Sequence, residues 1–275
     1  MNLHVAHPYI VAEPGCTAEG SYTAMLELID IAAMAGCDAI KLQWTSDPVW
    51  MTQRRRAFKC ANATRGLAYA DVYQWLNFPL EWHPRLAAYA HARDLEYGCS
   101  IYTPGDAAKL ANVVDFLKIS AFEAQADDVA REAIQTGRPV IVSLGMGAKV
   151  HDVLGRAARS DVSTAYFLQC TSAYPAPLDS LNLGRIRREQ LDGFSDHSAP
   201  SETTIGGLAV AAGARILETH MRSHHCEPEN PDYGVARDPD QLVAYVAFAR
   251  LAATCVTEYQ TDAEAAMRAF QVRSC

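Results

Sequence analysis

Tyr9-Ile10-Val11-Ala12-Glu13 is a run of strand-forming residues that ends on a carboxylate, and the segments after it repeat one pattern along the whole chain. A helical stretch runs from about Glu19 to Gly36, with Met25, Leu28, Ile29 and Ala32 on one face and Gly36 as its stop. A second strand reads at Asp38 to Gln43. Strand, helix, strand in this order implies a parallel pair joined by a right-handed crossover. Working outward, a helix is predicted near Glu81 to Asp94, and strands at Tyr97 to Thr103, Asp115 to Ile119, Pro139 to Ser143, Ala165 to Cys170, Gly193 to Asp196 and Arg215 to His220, with helical segments after each. Eight such units predict an α/β fold of the (β/α)8 TIM barrel type rather than the alternative, an open doubly wound sheet. The 275 residues are taken as one domain, 1–275, because such a barrel needs about 250.

Between the second strand and the helix near Glu81, residues 44–79 read as a long irregular loop containing Arg54-Arg55-Arg56 and Phe58. Loops of that length are lids, binding loops or excursions. The arginine run reads as a solvated surface stretch, with anion steering as the alternative. Hydrophobic residues make up 49% and charged residues 20%, a balance that excludes disorder, and no apolar run approaches a membrane span. The net charge of -8 argues against a nucleic-acid partner, which would need a surplus of Lys and Arg. Met1 to Ile10 has no basic region followed by an apolar one, so a cytoplasmic location is expected. The eight cysteines include no CxxC pair and are expected to be mostly buried free thiols.

The strand ends carry the chemistry. Glu13, Lys41 with Gln43, Thr103, Lys118 with Ser120, Ser143, Thr171 with Ser172, Ser195 with Asp196 and His197, and Glu218 with His220 would all meet on one rim of a barrel. That rim is where barrel enzymes place their active sites. Lys41 and Lys118, with the hydroxyls of Ser143, Ser172 and Ser195, suit a phosphate or carboxylate. His197 and His220, on adjacent strands, could share a divalent metal or be two hydrogen-bonded rim histidines. His224 and His225 are adjacent in a loop and read as surface residues.

With these residues in place, the chain resembles the catalytic barrel of the sialic acid synthase family. The resembling blocks are Val11-Ala12-Glu13-Pro14-Gly15, Ala35 through Gln43, Tyr102-Thr103-Pro104, Phe116-Leu117-Lys118-Ile119-Ser120, Gly137 through Met146, Gln169 through Pro177, Gly193 through Ser198 and Glu218-Thr219-His220. The resemblance implies condensation of phosphoenolpyruvate with a sugar-like aldehyde acceptor to give a 2-keto-3-deoxy acid and phosphate. It implies a manganese or magnesium ion on His197 and His220. Lys41, Thr103, Lys118, Ser143, Ser172 and Ser195 match the phosphoenolpyruvate cradle, Glu13 matches the group that handles the attacking water, and Gln43, Glu123, Tyr174 and Asp232 match acceptor contacts. A homo-oligomer is compatible with such a barrel.

Four departures from the family pattern fall mainly on the acceptor side. Cys16-Thr17-Ala18 stands where a polar turn is usual. Ala121 replaces a serine expected on the phosphate, and Ser120 is expected to face the other way, as adjacent strand residues do. The His220-to-Asp232 stretch is about one residue longer than the family pattern, and Ala236 stands for a further serine. No antifreeze-like domain is expected after the barrel. The identity of the acceptor is therefore less well specified than the donor. A Schiff-base aldolase using Lys41 or Lys118, and a catalytically silent binding barrel, are the competing readings.

Overall fold

Alternation of side chains along each strand decides what enters the barrel and what faces the helices. The structure, a computed structural model, describes residues 7–55, 69–125, 127–157 and 164–256. Its strands are β1 (Tyr9–Glu13), β2 (Ala39–Trp44), β3 (Glu96–Ile101), β4 (Phe116–Ile119), β5 (Val140–Leu144), β6 (Ala165–Cys170), β7 (Gly193–Asp196) and β8 (Ile216–His220). They pair in parallel in chain order, and β8 closes on β1. The predicted (β/α)8 barrel is the observed fold, with strand bounds within two residues of those read in the sequence and identical for β1, β6 and β7.

The helices are α1 (Tyr22–Met34), α2 (Pro48–Arg55), α3 (Tyr69–Trp75), α4 (Trp82–His91), α5 (Asp106–Leu110), α6 (Asp127–Gln135), α7 (Val150–Ala157), α8 (Gly184–Arg188), α9 (Ile205–Ala211) and α10 (Pro239–Cys255). In α1 the buried residues are the four read from the 3.6-residue spacing, Met25, Leu28, Ile29 and Ala32. Burying Leu28 and Ile29 contributes roughly 1.5–3 kcal/mol each. Ser21 starts this helix by accepting from the Ala24 N–H, which is why it begins later than Glu19. Among the described residues no helix is long and apolar enough to cross a membrane.

Two side-chain sets leave the sheet in opposite directions. The outward set, including Ile10, Ile40, Leu42, Leu117, Val142 and Leu217, packs with the helices in one continuous core. The inward set begins with an apolar plug of Tyr9, Val11, Ala39, Phe116, Ile141, Leu168 and Ile216 at the base of the barrel. Gly98 makes room for the plug, because a Cβ there would run into the Phe116 ring. Partners across a parallel ladder point the same way, and Gln43 lies opposite Ser100, Ser100 opposite Lys118, and Glu13 opposite His220. One step above the plug, the inward positions are therefore polar.

The stretch 44–79 is a correction to the sequence reading. It holds α2 and α3, which with Leu76 just after α3 pack Met51, Val72 and Tyr73 against Cys16 and Tyr102. Val72, Tyr73 and Leu76 fit helical spacing, but over one turn the signal is too short to separate from loop. Of the arginine run only the backbone of Arg54 and Arg55 is described, in α2. Arg56 and Phe58, like Cys60 and Cys275, lie outside the described residues. Of the six described cysteines, all free, Cys16, Cys37, Cys99 and Cys170 are buried as expected, Cys226 is half-buried and Cys255 is exposed.

Candidate active site

The polar layer closes into one network. Lys41 Nζ forms an ion pair with Glu13 and donates to Ser100 Oγ at 2.7 Å. Lys118 Nζ donates to Ser143 Oγ at 2.8 Å and to the Ile119 carbonyl at 3.1 Å. Glu218 lies between the two lysines, with Oε1 3.5 Å from Lys118 Nζ and Oε2 4.0 Å from Lys41 Nζ. The Ser195 hydroxyl donates to Glu218 Oε1 at 2.9 Å. Glu13 is held from its other side by the Gly15 N–H at 2.6 Å and the Gln43 amide at 3.2 Å.

Burial sets the charges of this floor. It pulls the Lys41 ammonium down to about 8, with Glu218 opposing it. Burial works to raise the Glu218 carboxyl, but Lys118, Lys41 and the Ser195 hydroxyl outweigh it and hold the group at about 2. Two cations thus face two carboxylates, Glu13 and Glu218, in a space almost closed to solvent.

His197 and His220 stand above the floor with ring centroids 5.3 Å apart, and Tyr174 stacks on His197 at 4.2 Å. A carbonyl can only accept, so the 2.9 Å contact between His197 Nδ1 and the Thr171 carbonyl puts the proton on Nδ1. Nε2 faces the Tyr174 hydroxyl at 3.0 Å. His220 Nδ1 is buried without a hydrogen-bond partner, and Asp232 Oδ2 lies 3.7 Å away. Burial pulls His197 down, but Cys170, with its Sγ 3.7 Å from Nδ1, and the Thr171 carbonyl carry the ring up to about 9. Burial lowers His220 against the pull of Asp232. Gly15, with φ of 60°, lets the β1 turn pass beside this pair, since a Cβ there would collide with the Asp232 carboxylate.

These groups line one cavity of about 310 Å³. Its floor and one side carry Glu13, Lys41, Gln43, Lys118, Ser143, Ser172, Tyr174, Ser195, His197, His220 and Asp232, all named from the sequence. An apolar set completes the lining, with Val72, Tyr73 and Leu76 from α3 and its end packed beside Tyr102, and Phe122 and Met146 from other turns. A more open cavity of about 540 Å³ adjoins it through Met146, Cys170 and Ser172, but Arg185, its buried cation, is tied up by Leu144, Gln169, Ala148 and Glu189. The titratable cluster marks the smaller cavity as the site.

Two residues matched to the phosphoenolpyruvate cradle and the acceptor contacts do not line it, and neither do the strand-end residues Thr171 and Asp196. Thr103 Oγ1 is 2.6 Å from Thr45 Oγ1, and Glu123 is buried against the Ser120 hydroxyl. Both Ser120 and Ala121 line the cavity, which corrects the expectation of opposite faces: β4 ends at Ile119, so strand alternation no longer applies. Ser120 is nevertheless committed to Glu123. Ser100 and Glu218 were not assigned a role from the sequence. The inward register that places Gln43 opposite Ser100 is the signal for the first, and the Glu218 position two residues before His220 is the signal for the second. His224 and His225 are exposed, as expected.

Among the described residues no group of three or more His, Cys, Asp and Glu side chains converges on a metal position. Two groups nonetheless suit one. His220 offers a buried nitrogen with no hydrogen-bond partner, and His197 has its tautomer fixed by a backbone carbonyl so that Nε2 is the ligating atom.

A sequence model of the NeuB family matches residues 28–261. Pseudaminic acid synthase of Campylobacter jejuni is 29% identical over 269 residues, covering 92% of this chain and 76% of that protein. N,N'-diacetyllegionaminic acid synthase of Legionella pneumophila is 27% identical, covering 97% of this chain and 79% of that one. In structure, N-acetylneuraminic acid synthetase of Leptospira borgpetersenii superposes with a TM-score of 0.78 at 22% identity, covering 98% of this chain and 92% of that one.

Proposed function

The chain belongs to the NeuB family, and from that premise we propose that it joins phosphoenolpyruvate to a sugar-like aldehyde, giving a 2-keto-3-deoxy acid of the nonulosonic type and inorganic phosphate. The observation that carries this reading is the floor. Lys41 and Lys118, buried side by side with the hydroxyls of Ser100, Ser143 and Ser195, offer the donors a small dianion or trianion requires. The relatives named as synthases of pseudaminic and legionaminic acids support the product class.

In this reading, C3 of the enol attacks the aldehyde carbon, and the new C–C bond leaves electron deficiency at C2. Water adds at C2, the C2–O bond to phosphate breaks, and the 2-keto group remains. Glu13 receives one proton of that water and the other leaves the C2 hydroxyl as the keto group forms; the two protons end on the acceptor's new hydroxyl oxygen and on the departing phosphate. Its carboxylate is oriented by Gly15 and Gln43 and paired with Lys41. The lysines stabilise charge that moves onto the leaving phosphate.

His197 and His220 would hold a divalent cation, manganese or magnesium. When bound it would act as a Lewis acid toward the acceptor carbonyl. The charge balance supports its presence, because Glu13 and Glu218 already cancel Lys41 and Lys118 and an incoming polyanion calls for another positive charge. Tyr174 and Asp232 border this end of the cavity and would position the acceptor's polar end. The apolar side around α3 would receive a hydrocarbon part of the acceptor.

Purified protein with manganese is expected to release phosphate from phosphoenolpyruvate only when an acceptor aldehyde is supplied from a panel of N-acetylhexosamines, their phosphates and short aldoses. No release with any of them, together with no metal binding, would refute the proposal. The depressed Lys41 amine favours one other reading, a Schiff-base aldolase. Borohydride trapping of a keto acid on the protein would reveal it, whereas the ion pair with Glu13 opposes it.

A further inference from the structure

Arg237 is the largest wholly buried side chain among the described residues, at 0% exposure, and the proposed reaction makes no use of it. It lies between the end of β8 and the start of α10. Its guanidinium reaches across to β7: NH2 is 3.1 Å from Asp196 Oδ2, and donates to Ser198 Oγ at 3.0 Å and to the Glu202 carbonyl at 3.2 Å. NH1 donates to the Thr219 hydroxyl, and the guanidinium carbon sits 4.3 Å from the Tyr245 ring centroid.

The positions of these partners are not scattered. Asp196 and Ser198 are the residues on either side of His197. Thr219 is the residue before His220, the Arg237 N–H donates to the His220 carbonyl at 3.0 Å, and Met221 forms a bridge with Arg237. One side chain and its own backbone thus bind the chain on both sides of both histidines. Asp196 is fixed in turn, because its Oδ1 accepts the Ser198 N–H at 2.8 Å. The capping box that starts α10, in which Asp238 accepts from the Gln241 N–H and Gln241 accepts from the Asp238 N–H, anchors the residue next to Arg237.

A buried guanidinium is costly, and an apolar residue could brace two strands at least as well. What an apolar residue cannot do is fix direction, whereas the planar fork addresses several acceptors at set angles. We propose that Arg237 is a positioning residue that sets the separation and orientation of His197 and His220 for their shared cation. This rests on the two-histidine metal site of the proposed function. Arg237 touches neither lysine of the floor, so its influence is confined to the acceptor end.

Calorimetric titration with manganese alone tests it, on wild type, Arg237→Met and Arg237→Lys, beside KM values for phosphoenolpyruvate. Outer-shell substitutions commonly weaken metal affinity by about 10- to 100-fold, and Arg237→Met is expected at the lower end, with Arg237→Lys recovering part of the loss. KM for phosphoenolpyruvate should stay within about twofold of wild type, since the lysine contacts are untouched. A merely structural brace would lower the melting temperature and leave manganese affinity intact in whatever remains folded. Should Arg237→Met fail to fold, Thr219→Val with Ser198→Ala removes two of the contacts with little change in side-chain volume. Equal manganese affinity in that double variant and in wild type would overturn the inference alone. No manganese binding by wild type would overturn the metal site and the inference together.

Discussion

The floor of the cavity and its apolar side are built by different parts of the chain under different rules. The floor comes from the inward positions of β1 through β8, where each side chain is fixed by the pleat and by its ladder partner, and it consists of buried charges that hold one another. The apolar part of the lining comes from α3 and from the turns after β3, β4 and β5, with Val72, Tyr73, Leu76, Tyr102, Phe122 and Met146 presenting mostly hydrocarbon. The first region can recognise an anion in only a few orientations. The second recognises shape and apolar area and can change without disturbing the first. In the proposed reaction the donor chemistry stays with the strands, while the acceptor is read by a helix outside the strand register.

Lys118→Met should produce the largest effect. Removing a single preorganised charge donor costs about 10²- to 10³-fold, and the loss is expected in kcat/KM for phosphoenolpyruvate as measured by phosphate release. If KM for the acceptor moved instead, the division between floor and apolar side would fail. Leu76→Asn is the converse change, placing an unpartnered amide on the hydrocarbon side. It should raise acceptor KM by about 10- to 200-fold, the range over which apolar pockets discriminate, and leave KM for phosphoenolpyruvate nearly constant.

A pH profile sharpens the comparison with a smaller effect. Lys41 is held down at about 8, so its charge is present below that pH and lost above it. The kcat/KM for phosphoenolpyruvate should be level below about pH 8 and then fall by up to tenfold per unit as the free enzyme's lysine deprotonates. Acceptor binding to the apolar side should not track that curve.

The sequence makes the floor legible for the same reason that it is rigid. A strand alternates with period two, so Lys41 with Gln43, Lys118, Ser143 and Ser195 can be placed on one inward face once the strands are known. Residues just outside strands break that rule. Ser120 and Ala121 share the cavity because β4 has already ended, and Thr103 turns to Thr45 rather than into the cavity. The helices α2 and α3 were hidden inside an apparently irregular stretch because one or two turns rich in Trp and Tyr carry too little periodicity to identify. Ser100 and Glu218 reveal their importance only when the register brings them beside the lysines.

The most direct measurement tracks the donor's carbon. Phosphoenolpyruvate labelled with carbon-13 at C3 would be incubated with the protein, manganese and an acceptor aldehyde, and its NMR spectrum recorded beside a phosphate assay. The account predicts that the vinyl signal is replaced by the methylene of a 3-deoxy-2-keto acid, with one phosphate released per methylene formed. Label appearing in the methyl group of pyruvate, with phosphate released whether or not the aldehyde is present, would contradict it.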